Sequence, residues 1–141
     1  MSSFEIIGGQ PLSGEIIPQG AKNEALQVIC ATLLSDEEIT INNIPNIRDV
    51  NKLIELLEYL GVKVNKLGKE SYSFQANRVD ISRIYTERYS QMAASLRGSI
   101  MLVGPMLARF KEAYIPTPGG DKIGRRRLDT HFTGFEKLGA N

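Results

Sequence analysis

A single cysteine, a single histidine and no apolar run long enough to cross a bilayer set the first limits on this 141-residue chain. With Cys30 alone, no intramolecular disulfide can close and no multi-cysteine metal site can form. His131 has no serine or cysteine spaced to suggest a nucleophilic pair, so it reads as structural or partly exposed rather than catalytic. An excess of either charge is also missing. The 17 basic and 16 acidic residues nearly cancel, which argues against a general nucleic-acid or membrane-surface binder. Neither G-x-x-x-x-G-K-[ST] nor G-x-G-x-x-G occurs, so nucleotide hydrolysis and dinucleotide binding lack local support. The opening Met1-Ser2-Ser3-Phe4-Glu5 carries no basic segment leading into an apolar one, and the chain reads as cytoplasmic.

What is present is an ordinary globular composition, 42% hydrophobic, enough for one respectable core or two small ones. Phe4 to Ile7 and Glu15 to Pro18 read as two short strands joined through glycines and Pro11. Leu26, Ile29, Cys30 and Leu33 then recur at helical spacing, with Asn23 in the N-cap place and Cys30 as a packing residue. The acidic trio Asp36, Glu37 and Glu38 reads as a solvated turn leading into a strand at Glu38 to Asn42. After Pro45, Val50, Leu53, Ile54, Leu57 and Leu60 mark a second helix that Gly61 closes. Val62 to Leu67 and Tyr72 to Ala76 read as a hairpin around Gly68.

The same order then begins again, which predicts an α/β architecture of repeated helix-strand-helix-strand units. A helical stretch from about Glu87 to Leu102, a break at Gly104-Pro105, a strand at Ala113 to Pro116 and a helix from Leu128 to Leu138 make the second unit. Its ending, Leu138-Gly139-Ala140-Asn141, echoes Leu60-Gly61-Val62-Lys63 of the first. The second copy stops where the hairpin of the first began, so the chain is expected to be part of something longer. Residues 77–85 form the expected boundary between units.

The chemistry concentrates in Pro118-Gly119-Gly120-Asp121-Lys122-Ile123-Gly124-Arg125-Arg126-Arg127-Leu128-Asp129. Glycines let backbone N–H groups approach an anion, guanidinium forks match phosphate oxygens, and a following helix adds its positive end. Asp121 would repel a phosphate, so it is either a surface turn residue or a group that handles protons. Lys22, between a strand and a helix start, is either an anion ligand or a solvated lysine. Arg97 lies in an apolar stretch and needs a partner; a ligand anion and a structural ion pair are both open.

Gly20-Ala21-Lys22-Asn23, Leu96-Arg97-Gly98-Ser99-Ile100, Gly104-Pro105-Met106-Leu107-Ala108-Arg109-Phe110, and Pro118-Gly119-Gly120 through Asp129-Thr130-His131 occur in this order. Together they resemble the amino-terminal part of the UDP-N-acetylglucosamine 1-carboxyvinyltransferases, the enolpyruvyl transferases that open bacterial peptidoglycan synthesis. The resemblance implies the enolpyruvyl transferase fold, an inside-out α/β barrel with helices inside and sheets outside. It assigns 1–21 to strands of the other domain of the whole enzyme. Residues 22–141 would then be a partial domain, with one unit at about 22–84 and an incomplete one at about 85–141. It implies phosphoenolpyruvate and UDP-N-acetylglucosamine as substrates, with no cofactor or metal and no nucleic-acid or membrane partner.

Carried over by position, the resemblance makes Lys22 a phosphoenolpyruvate contact and Asn23 its substrate-binding neighbour. Arg97 becomes a binding-site arginine and Arg126 the anion-holding arginine beside the loop. Arg127, Leu128, Asp129 and Thr130 become the wall of the uridine nucleotide site. Arg127 stands where family members commonly have proline. Asp121 stands where most have cysteine, aspartate being an accepted variant, and would take part in proton transfer to the enolpyruvyl group. The base and a further arginine would come from beyond Asn141, so the piece alone is expected not to turn over. Replacement of the cysteine implies insensitivity to fosfomycin, which alkylates a thiolate. A shikimate-pathway enolpyruvyl synthase and a non-catalytic phosphate- or nucleotide-binding module are the alternatives; the former usually carries serine where Asn23 stands.

Overall fold

A computed structural model describes residues 3–117, 119 and 127–140. Helix α1 (Lys22–Ala31) follows an extended Ala21 (φ −74°, ψ 125°), so Ala21 is its N-cap residue and Asn23, expected in that role, lies in the first turn. The cause is the approach of Gly20 to the residues ahead of the next helix. A Cβ on Gly20 would lie 1.8 Å from the Asn43 carbonyl oxygen and 3.1 Å from Pro45. Helix α2 (Arg48–Leu60) follows the predicted apolar spacing, and Gly61 closes it in the left-handed region at φ +100°. Val62 N–H returns to the Leu57 carbonyl at 3.0 Å to complete that stop.

Strands β1 (Glu38–Ile41), β2 (Lys63–Lys66) and β3 (Tyr72–Gln75) form an antiparallel sheet of order β1-β3-β2. Ile39 and Val64 both pair with Phe74, which faces inward and is fully buried. Helix α2 lies deepest, with Val50, Leu53, Leu56, Leu57 and Leu60 sealed from solvent among α1, the sheet and the second half of the chain. Helix α2 is thus inside and the sheet outside, in line with the expected arrangement, whereas the helix Asp129–Lys137 lies on the surface.

The second half departs from its sequence reading in three places. The single helix expected over 87–102 is two elements: helix α3 (Glu87–Ala94), started by the Thr86 side chain, and a 3-10 stretch, Arg97–Leu102. Between them Leu96 is extended and buried. Ser99 Oγ lies 2.9 Å from the Ala93 carbonyl and 2.7 Å from that of Leu96, and Gly98 lies so close to Leu26 that a Cβ would meet its Cδ1 at 3.1 Å. Packing against α1 therefore sets the interruption. Gly104-Pro105, expected to break a helix, instead occupies the first turn of α4 (Val103–Phe110). A proline is tolerated there because first-turn N–H groups have no intrahelical acceptor.

The strand expected at 113–116 does not form; its anchoring bond comes from Tyr89, whose hydroxyl donates to the Tyr114 carbonyl at 2.9 Å. The two amino-terminal strands are also absent, and residues 3–20 carry no helix or strand. Phe4, Ile6, Ile7, Leu12, Ile16 and Ile17 are 84–96% exposed, and a lone strand pair with no covering face is marginal in water. Helix α5 (Asp129–Lys137) appears where predicted, without a buried residue.

Candidate active site

The amino-terminal ends of α1 and α2 open into one cleft. Lys22 is the first residue of α1, where the positive end of the helix opposes its ammonium, and Asp49 is the second of α2, where a carboxylate is favoured. The two side chains form an ion pair across the gap, 43% and 38% exposed. The backbone brings them together. Gly20 rests on Asn43 and Pro45, Ile47 N–H bonds to the Pro45 carbonyl at 2.9 Å, and the Asn51 side chain donates to Asn46 Oδ1 at 2.9 Å.

Arg97, half-buried at the start of its 3-10 stretch, forms another wall of this cleft, and Arg127 and Leu128 form a third at the entry to α5. The space is about 410 Å³, floored by Leu26, Gly98, Ile100 and Met101. Asn23 and Gln27, one helical turn apart on α1, present amides to it, and His131 stands opposite. Among the described residues, three basic side chains, two amides and one carboxylate surround an apolar floor, which suits a ligand with a phosphate and an uncharged body. The Arg127 fork closes on Oδ2 of Asp129, with Nε and Nη2 both at 2.7 Å, so its charge is already matched on an exposed surface. Gly119 N–H bonds to the Ala94 carbonyl at 2.7 Å, where a Cβ would clash with that oxygen at 2.1 Å. That contact ties Gly119 to the end of α3.

Lys22, Asn23, Arg97, Arg127 and Leu128 are therefore brought together. Asp129 and Thr130 are exposed on the first turn of α5 and are not part of the cleft wall. Asp121 and Arg126, and the rest of 120–126, lie outside the described residues. Sequence reasoning missed Asp49 and Gln27 and gave His131 no place in a site. Gln27 was recoverable, four residues after Asn23 on the same helix face. Asp49 was not, because no local pattern links it to Lys22.

Away from the cleft, Cys30 is buried as expected, and burial pushes its thiol up to about 12. Arg109, on α4, serves the fold. Its Nη1 donates to the carbonyls of Leu33 (2.9 Å), Ser35 (3.0 Å) and Ala76 (2.9 Å), tying the turn after α1 to the end of β3.

Residues 6–141 match the family described as EPSP synthase (3-phosphoshikimate 1-carboxyvinyltransferase). The chain is 61% identical over 141 residues to a UDP-N-acetylglucosamine 1-carboxyvinyltransferase of Bacteroides fragilis, covering 100% of this chain and 32% of that protein. It is 54% identical over 140 residues to a protein of the same name from Porphyromonas gingivalis, covering 99% of this chain and 32% of that protein. It thus spans about a third of the length of these curated relatives. The crystal structure of the enolpyruvyl transferase NikO from Streptomyces tendae superposes with a TM-score of 0.59 at 23% identity, over 72% of this chain and 23% of that one. That likeness bears on the fold. With the family match running over nearly all of the sequence, and a solved enolpyruvyl transferase sharing its architecture, the chain belongs to the EPSP synthase family and has the α/β enolpyruvyl transferase fold.

Proposed function

We propose that the protein to which this chain contributes is a cytoplasmic enzyme that transfers the enolpyruvyl group of phosphoenolpyruvate to the 3-hydroxyl of UDP-N-acetylglucosamine, releasing phosphate for peptidoglycan synthesis. The observation that carries this reading is the convergence of Lys22, Asn23, Arg97 and Arg127, from three separated segments, on one cleft. The 61% identity to a relative bearing that name favours the sugar nucleotide over shikimate 3-phosphate as acceptor.

The reaction needs a proton delivered to the methylene carbon and attack of the sugar hydroxyl on the neighbouring carbon. Loss of phosphate and of a methyl proton from the tetrahedral adduct then restores the double bond. Lys22 and Arg97 hold the phosphate and stabilise its departure, with Arg126 added from the loop. Asp121 delivers the proton. Arg127 and Leu128 border the uridine from the cleft wall, and Asp129 and Thr130 extend that border outside the cleft. The hydroxyl's base comes from the other domain, so residues 1–141 alone do not turn over.

In the same reading, 22–84 and 85–141 are successive units of one domain, and the segment before Lys22 pairs as strands with the other. The solvent-facing Phe4, Ile6, Ile16 and Ile17 support that placement, since they leave an apolar surface to be covered. Phosphate release by the full-length protein from phosphoenolpyruvate, with UDP-N-acetylglucosamine or shikimate 3-phosphate as acceptor, tests the assignment. Release with the sugar nucleotide is expected. Release only with shikimate 3-phosphate, or binding without release, would overturn it.

A further inference from the structure

Among the described residues, Asp49 is the carboxylate of the cleft wall, facing a space otherwise lined by basic and neutral groups, and it is joined to the lysine assigned to the substrate phosphate. A general anion trap would gain from leaving that carboxylate out, because it repels the ligand the other groups attract. Its position is nevertheless built in. It sits in the first turn of α2, behind the turn held by Asn46 and Asn51, and the contact of Gly20 with Asn43 and Pro45 sets this turn against the start of α1. The lysine it meets begins a helix, where the ammonium would otherwise swing away from the positive helix end into solvent.

We propose that Asp49 is the positioning residue for Lys22: it holds the ammonium at the cleft wall so that the donors left free point at the departing phosphate. This rests on the enolpyruvyl transfer proposed above. An ammonium has three N–H donors, and one directed to Asp49 leaves two for phosphate oxygens. A long flexible side chain is thereby ordered before the substrate arrives. The carboxylate also offsets one of the cleft's positive charges, so phosphate release leaves behind a partly neutralised site. Asp49 touches no reacting atom in this scheme; it acts through Lys22.

The test uses the full-length protein with steady-state phosphate release and thermal unfolding on wild type, Asp49→Asn and Asp49→Glu. Asp49→Asn keeps the shape and removes the charge. It is expected to lower kcat on the order of tenfold to a hundredfold, with the KM for UDP-N-acetylglucosamine within about twofold and the melting temperature unchanged. Asp49→Glu, which restores the charge on a longer stem, is expected to recover part of kcat. An unchanged kcat in Asp49→Asn would overturn the role, as would a loss confined to the KM for the sugar nucleotide. A fall in melting temperature shared by both variants, with no recovery in Asp49→Glu, would make the residue structural and overturn it too. Wild-type protein without turnover would remove the functional reading itself, whereas active wild type with unaffected variants removes only the positioning role.

Discussion

Replacing Arg109 with methionine keeps the stem's packing and removes the guanidinium that three backbone carbonyls share. Leu33 lies within a short 3-10 turn (Thr32–Leu34), Ser35 follows that turn, and Ala76 follows β3, so these carbonyls stand at the ends of elements with no ladder partner to fall back on. One Nη1 carries two N–H groups, so three acceptors at 2.9–3.0 Å divide two charge-assisted donors among them. Each such donor contributes about 1.5–3 kcal/mol when fully buried. Arg109 is only half-buried, and water can reach some of the freed carbonyls, which brings the expected loss for Arg109→Met to about 2–4 kcal/mol. Arg109→Lys retains a charge but not the fork, and should lose about half as much. Urea unfolding of the full-length protein, compared at equal slope, measures both. A Met variant within about 0.5 kcal/mol of wild type would mean that water replaces the clamp at no cost, and the reasoning would be wrong.

Three other outcomes follow from the structure. Cys30 has its thiol raised from 9.0 to about 12 by burial, so the folded state holds a proton that the unfolded chain gives up. The stabilising difference is complete below pH 9.0 and is lost as pH rises toward about 12, at up to about 1.4 kcal/mol per pH unit. Native protein should resist thiol alkylation at pH 8 and react stoichiometrically in denaturant; fast native labelling would contradict the burial. Gly20→Ala would force a methyl group against the Asn43 carbonyl, at an expected cost of about 1–3 kcal/mol. It should also reduce turnover of the full-length protein by shifting the start of α1 from the Asp49 turn, and a variant equal to wild type in both would refute this coupling. Intact-mass analysis after incubation with fosfomycin and UDP-N-acetylglucosamine should find no adduct on the natural sequence and one on Asp121→Cys; a stoichiometric adduct on the natural sequence would contradict the reading of Asp121.

By itself the sequence determined α1, β1, α2, the β2-β3 hairpin, the stop at Gly61 and α5. Each is specified by residues within a few positions of one another, through apolar spacing, a left-handed glycine or a turn. It also supplied Lys22, Asn23, Arg97, Arg127 and Leu128, through motifs whose order along the chain is itself information. Tertiary structure decided the rest. The break at Leu96 needs Leu26 of another helix against Gly98, and the start of α1 at Lys22 needs Asn43 against Gly20. Apolar alternation at 4–7, 15–18 and 113–116 did not yield strands, because a strand needs a neighbour for its hydrogen bonds as well as a pattern. Asp49 reaches Lys22 only because α1 and α2 pack with their amino-terminal ends at the same cleft. Spacing in a helix fixes which residues share a face, but which faces meet depends on packing among distant segments, and that is where the carboxylate of this site was placed.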